Sequence, residues 1–126
     1  MAAVPLSKRI AVYGKAQMFL GNYLSNDLVY GYQPALNGIG SVSKNAVVSV
    51  GRRNFGLSSQ GFFVTDGASF EYIDDPAMRH WFQDNINQDQ YAKVIGYHDE
   101  EDSQVLWYIP TVVTTKNDYC MTYNYE

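Results

Sequence analysis

The stretch GLSSQG, Gly56–Gly61, places two serines between glycines and is the first candidate for a nucleophile. A hydrolase elbow reads G-x-S-x-G and runs on into a helix. Here the fifth position is Gln60, and GFFVTDG beyond it reads as a strand, so the stretch reads as a hairpin turn. A Ser-His-Asp triad would need His80 or His98 as its base. His80 stands beside Trp81 in a helical pattern and His98 precedes an acidic turn, and two separated histidines define no constellation. The run HDEEDS, His98 to Ser103, has oxygen donors of the kind Ca²⁺ takes from a flexible loop. It lacks the alternating D-x-[DN]-x-[DN]-G spacing and reads as a solvated hairpin tip whose charge guards a sheet edge. Cys120, between Tyr119 and Met121, reads as a small buried hydrophobe in a strand. No catalytic, cofactor-binding or metal-ligating residue is assigned, and the chain reads as a protein that is not an enzyme.

Charge points to contacts instead. Arg52-Arg53 suits an acidic neighbour or a phosphate backbone, and Asp99, Glu100, Glu101 and Asp102 form an acidic tip. These six are the candidate subunit-contact or channel-lining residues. Net charge is −4, which argues against a dedicated nucleic-acid binder, whose binding face is basic. An acidic wall would repel phosphate and so suits a channel that DNA passes through. One cysteine allows no intrachain disulfide. No run of ~18 apolar residues marks a transmembrane helix, and MAAVPLSKRI lacks the apolar core of a secretory signal.

The elements that must position these residues are mostly strands. The 126 residues suit one unit, and eleven tyrosines with only 17% charged residues suit β-structure with broad contact surfaces. RIAVY (9–13), AQMFLG (16–21) and DLVYGY (27–32) are short β-prone runs, the first two joined by Gly14-Lys15 as a hairpin signal. Gln33–Ser41 reads as a loop with a turn at Asn37-Gly38. NAVVSVG, NFGLSSQ, GFFVTDG and SFEYI then read as a four-stranded meander, with turns at Gln60-Gly61 and Asp66-Gly67 where glycine tolerates positive φ. The segment 74–87 reads as one short amphipathic helix: Asp75 caps it, Pro76 opens it, and Met78, Trp81, Phe82, Asn85 and Ile86 share a face. A hairpin follows, Lys93–His98 and Gln104–Ile109 around the acidic tip, stopped by Pro110. A last strand, DYCMTYNYE, runs to the final residue, which reads as a segment cut from a longer protein.

This order resembles the β-propeller proteins of short-tailed bacteriophage tails, the packaged-DNA stabilisation, tail-hub or nozzle family. The resemblance rests on RIAVYGKAQMFLG, on GIGSVSKNAVVSVGRRNFGLSSQGFFVTDG with its Gly-Ser turn and Asp-Gly hairpin, on FEYIDDPAMRHWFQDNIN as a strand leading to a short helix, and on AKVIGYHDEEDSQVLWYIP and YCMTYNYE as strands of a further blade. It covers nearly the whole chain from Arg9. It implies a mostly β fold of short antiparallel hairpins resembling propeller blades, with one short inserted helix. Closure needs ~4 blades and this length supplies two or three, which again implies a segment of a larger protein. It also implies a structural virion protein of the tail, made in the host bacterial cytoplasm. Such a protein forms a homo-oligomeric ring, six-fold by family, that meets the portal or adaptor and other tail proteins. The ring extends the DNA channel below the portal and helps retain packaged DNA, with at most transient non-specific DNA contact, no cofactor and no membrane anchor. The alternative is a small β-rich carbohydrate-binding module that stacks sugars on Tyr13, Tyr30, Tyr32, Trp81, Trp107 or Tyr108.

Overall fold

Short β-branched and aromatic runs closed by turn residues pair with their sequence neighbours into three antiparallel meanders. The structure, a computed structural model, describes residues 2–6, 9–14, 16–24, 29–37, 39–111, 116–117 and 119–125, with the backbone alone for 22–24 and 29–33. Sheet 1 is β1 (Ala2–Leu6), β2 (Arg9–Tyr13), β3 (Gln17–Leu24) and β4 (Val29–Asn37) in that spatial order. Sheet 2 is β5 (Val47–Val50), β6 (Arg53–Ser58), β7 (Gly61–Thr65) and β8 (Phe70–Tyr72), also in order. Helix α1 (Pro76–Asn85) and a 3-10 helix (Gln88–Lys93) lead to sheet 3, made of β9 (Ile95–Asp99), β10 (Gln104–Ile109) and β11 (Tyr119–Asn124) with β10 central.

Sheet 2 is the middle layer. All five residues of β7, GFFVT, are buried, as are Asn54 to Ser58 of β6, because both faces are covered. One face carries Phe55, Leu57, Phe62 and Val64 into a core shared with Val105, Trp107, Ile109 and Met121 of sheet 3 and with Phe82 of α1. The opposite face carries Val47 and Phe63 into a second core with Leu6, Ala11, Tyr13, Met18 and Leu20 of sheet 1. Alternation of side chains along a strand sends Phe62 and Phe63 to opposite cores. The ring of Phe62 lies 4.7 Å from Trp107, and that of Phe63 lies 5.9 Å from Tyr13.

Polar links register the layers. The Trp107 indole donates to the Ala46 carbonyl at 2.9 Å, and Ser43 Oγ donates to the Val94 carbonyl at 2.7 Å. The Gly96 amide donates to the Asn45 carbonyl at 2.7 Å, beside a parallel bridge between Asn45 and Ile95. Between sheets 1 and 2, the buried Asn54 amide accepts from the Tyr13 hydroxyl at 2.9 Å and donates to the Pro5 carbonyl at 2.9 Å. The first strands of the sheets adjoin in turn, β1 beside β5 and β5 beside β9.

The mostly β fold agrees with the sequence reading, and three blade-like meanders are compatible with a propeller. Several details differ. The N-terminal AAVPL is a strand, β1, which carries Pro5 where an edge strand tolerates it. Gln33 to Asn37 is not a loop: β4 runs through it, because β3 pairs with it across a bulge at Met18/Phe19 that shifts Leu36 and Pro34 into register. Lys15 and Gly38, each half of an expected turn, lie outside the described residues. The helix begins as expected, with Asp75 Oδ1 accepting from the Met78 amide at 2.7 Å and Pro76 in its first turn. Met78, however, is 41% exposed, while Phe82 and the C-cap Ile86 are buried and Trp81 packs against the core. Residues 88–93 form a 3-10 helix capped by the Asn87 side chain, so strand β9 starts at Ile95 rather than Lys93. Cys120 is exposed, not buried, since its neighbour Met121 takes the inward position opposite Trp107.

Gly56 sits where a Cβ would lie 2.6 Å from Phe63 Cζ and 2.9 Å from Val47 Cγ2. Gly56→Ala is expected to destabilise by about 1–3 kcal/mol through overpacking, seen as a lower urea midpoint at unchanged slope. Burial pushes the Tyr13 hydroxyl from its ordinary 10.0 up to about 12. The folded value lies above the unfolded one, so the contribution is whole below pH ~10 and is lost as pH rises towards ~12, on the order of 3 kcal/mol in all. Tyr13→Phe should cost about 1–2 kcal/mol at pH 7 and should flatten the fall of the urea midpoint across that alkaline window. Parallel falls in both proteins would assign the loss to other groups.

Candidate functional site

The serine and histidine candidates are each engaged elsewhere. Ser58 Oγ donates to the Gly61 carbonyl at 3.1 Å and accepts from the Gln60 amide at 3.2 Å, so GLSSQG closes the β6–β7 hairpin. His98 Nε2 lies 2.8 Å from the Tyr125 hydroxyl, and the two rings are 5.6 Å apart. His80 is 80% exposed and meets Asp84 at 3.1 Å one helical turn on. Among the described residues, no three of His, Cys, Asp and Glu converge as metal ligands.

The charged candidates gather at one end of the stack. Because β5 and β9 run parallel through the Asn45–Ile95 bridge, the β5–β6 and β9–β10 turns emerge at the same end. The first holds Arg52 and Arg53, both exposed, in a turn that Gly51 makes with φ of +60°. The second holds Glu100, Glu101 and Asp102, all exposed, after the half-buried Asp99 that ends β9. Asp99 Oδ1 accepts from the Asp102 amide at 3.4 Å, and Ser103 turns the chain with φ of +54°. The β7–β8 turn joins them, its Gly67 pressed near Leu6 at the end of β1. Arg53 reaches over the Phe55 ring, 5.2 Å to its centroid, and borders a shallow groove with Thr65, Asp66, Ser69 and Glu71. The Ala68 and Ser69 amides hold the Asp66 carboxyl below its ordinary value. This end is therefore mixed in sign, with arginines on sheet 2 flanked by carboxylates on sheets 2 and 3.

A second polar feature sits beside the helix start. The Asp74 carboxylate is 2% exposed and accepts from Arg79 Nη2 at 3.2 Å. Arg79 in turn lies over the Tyr72 ring at 4.5 Å. Asp74 Oδ2 also takes the Phe62 amide at 3.4 Å, and a Cβ at Gly61 would stand 2.7 Å from it. The pair lies at the rim of a narrow apolar cleft that Ile73, Trp107 and Met121 line. Its partners are intramolecular, and its role is to fasten α1 to β7 and β8.

The aromatic candidates divide. Tyr13 and Trp107 are buried in the two cores and offer no sugar platform. Trp81 packs on Tyr119 at 4.8 Å, and the side chains of Tyr30 and Tyr32 lie outside the described residues. Tyr108 is 42% exposed, beside Tyr97 at 58% and Ile95 at 46%, all on the outer face of sheet 3. The sequence reading missed this face. Its signal was there: VIGYH and VLWYI are apolar at both parities, the mark of a strand with two faces to cover.

No protein-family model matches the chain, and a search of curated proteins found no significant match. No helix among the described residues is long and apolar enough to cross a membrane. Asp74→Ala should cost about 1–3 kcal/mol. Combined with Arg79→Ala it should show a coupling above about 0.5 kcal/mol in urea unfolding, and strict additivity would dissolve the clasp.

Proposed function

We propose that this chain is a structural protein of a short-tailed phage tail, a part of the hub or nozzle that extends the DNA channel below the portal and helps retain the packaged genome. The observation that carries the reading is the order of the sheets. Three consecutive antiparallel meanders follow one another along the chain, with the first strand of each beside the first strand of the next. That is how successive blades are laid around an axis in a propeller. The charged end supports the same reading. Arg52 and Arg53 suit a contact with an acidic neighbour, and the Asp99–Asp102 tip suits a wall that phosphate slides past rather than binds. On this reading the protein is made in the host cytoplasm, works in the virion tail against portal or adaptor proteins and its own copies, and carries out no chemistry.

Antibody raised against the chain is expected to label the tail of purified virions in negative-stain electron microscopy. Virions that lack the label at every site would overturn the reading. A quench of tryptophan fluorescence by sugars would then support the glycan-binding module, with Tyr97 and Tyr108 as its platform.

A further inference from the structure

Among the described residues, sheet 2 is covered on both faces, whereas sheets 1 and 3 are each covered on one. The central rows of the uncovered faces are apolar, with Gln17 and Asn37 at the end of one face and Asp99, Gln104 and Asn124 at the end of the other. On sheet 1 the residues directly opposite one another across the strands are Ala3, Val12, Phe19 and Pro34, with Pro5 and Ile10 in the next row. Their strand neighbours Ala11, Tyr13, Met18 and Leu20 point the other way, into the core. On sheet 3 the corresponding rows are Ile95, Tyr108 and Cys120, then Tyr97, Leu106 and Thr122. Three of the five large exposed hydrophobics of the described residues, Ile95, Tyr97 and Tyr108, lie on this one face. Faces of this composition mark protein contacts rather than solvated surface.

We infer that these two faces bind each other in a second copy of the chain: the outer face of sheet 1 of one protomer packs on the outer face of sheet 3 of its partner. The inference stands on the sheet faces alone and is independent of the tail assignment. Its first ground is continuity. Sheet 1 packs on sheet 2, sheet 2 packs on sheet 3, and the strands β1, β5 and β9 follow one another along the inner edge. The next position in that progression, outside sheet 3, calls for a sheet that presents the outer face of sheet 1. The second ground is closure. Sheets laid this way close as rings of ~4–8; the three sheets of the described residues, taken from two copies, make a ring within that range, and taken from three copies do not. The pair then has two identical contacts related by a two-fold axis. The third ground is area. Four faces, each of three or four strands ~4.8 Å apart and about five residues long, bury on the order of 1,100 Å² together, above the ~1,000 Å² that a specific interface clears. Edge pairing is not the route at sheet 1, since Pro5 and Pro34 occupy its two edge strands.

Cys120 is the natural probe, because it is the single cysteine and lies on the sheet 3 face. Native mass spectrometry of the wild-type chain should report twice the subunit mass of 14.3 kDa, and maleimide labelling of Cys120 should slow as concentration drives pairing. Val12→Asp alters only the sheet 1 face. It should return the protein to monomer and restore labelling of Cys120 on the opposite sheet, with an unchanged circular dichroism spectrum. Should that variant fail to fold, Ala3→Glu, at an exposed position on the same face, makes the same test. A wild-type monomer, or an oligomer of any size in which these variants leave Cys120 protected, would overturn the inference.

Discussion

The structure depends on one constraint: the middle sheet must bury both of its faces. Adjacent phenylalanines on β7 point in opposite directions, Phe62 towards Trp107 and Phe63 towards Tyr13. Neither face of sheet 2 is free to meet water, so sheets 1 and 3 have to take opposite sides of it. Gly56 belongs to the same constraint, since the Phe63 ring fills the space a side chain there would need. The Trp107–Ala46 and Tyr13–Asn54–Pro5 hydrogen bonds then set how each outer sheet sits on the middle one. Buried polar groups with so few alternative partners tie the register of packing to a single solution.

From this follows the division of the surface. The β5–β6, β7–β8 and β9–β10 tips emerge at one end and carry the charge, because turns are solvated and their backbone groups must meet water or polar side chains. The outer faces of sheets 1 and 3 carry apolar rows, because the side chains of a strand alternate and the inward set already fills the core. Charged tips at one end and apolar faces at the flanks suit a protein that works by assembly. Ser58 and His98, whose types could serve catalysis, are spent on local structure, Ser58 on its hairpin and His98 on Tyr125, and Asp74 is spent on Arg79 and the helix start.

The strand-and-turn reading of residues 45–73 was legible because the runs there are short and β-prone and three of them are closed by a glycine whose φ the turn requires, +60° at Gly51, +145° at Gly61 and +98° at Gly67. The helix was legible from Asp75, Pro76 and the spacing of Phe82 and Ile86. The strands β1 and the far half of β4 were not. AAVPL and QPALN have weak strand propensity and a proline each, and they are strands because β2 and β3 offer them a ladder. The exposure of Cys120 was hidden in the same way. In YCM nothing local says which residue faces inward, and the pairing of Met121 with Trp107 decides it.

By itself, then, the sequence determined the class of structure, the turns at Gln60-Gly61 and Asp66-Gly67, the helix cap, and the residues that carry charge at the hairpin tips. These follow from backbone stereochemistry and from propensities that act within a few residues. Tertiary structure alone decided that the strands divide into three sheets, that the middle one is covered twice, and that Arg52, Arg53 and the Asp99–Asp102 tip share an end while Tyr97 and Tyr108 share a face. Those outcomes depend on pairing between residues far apart in the chain, where burial of whole faces outweighs any local preference.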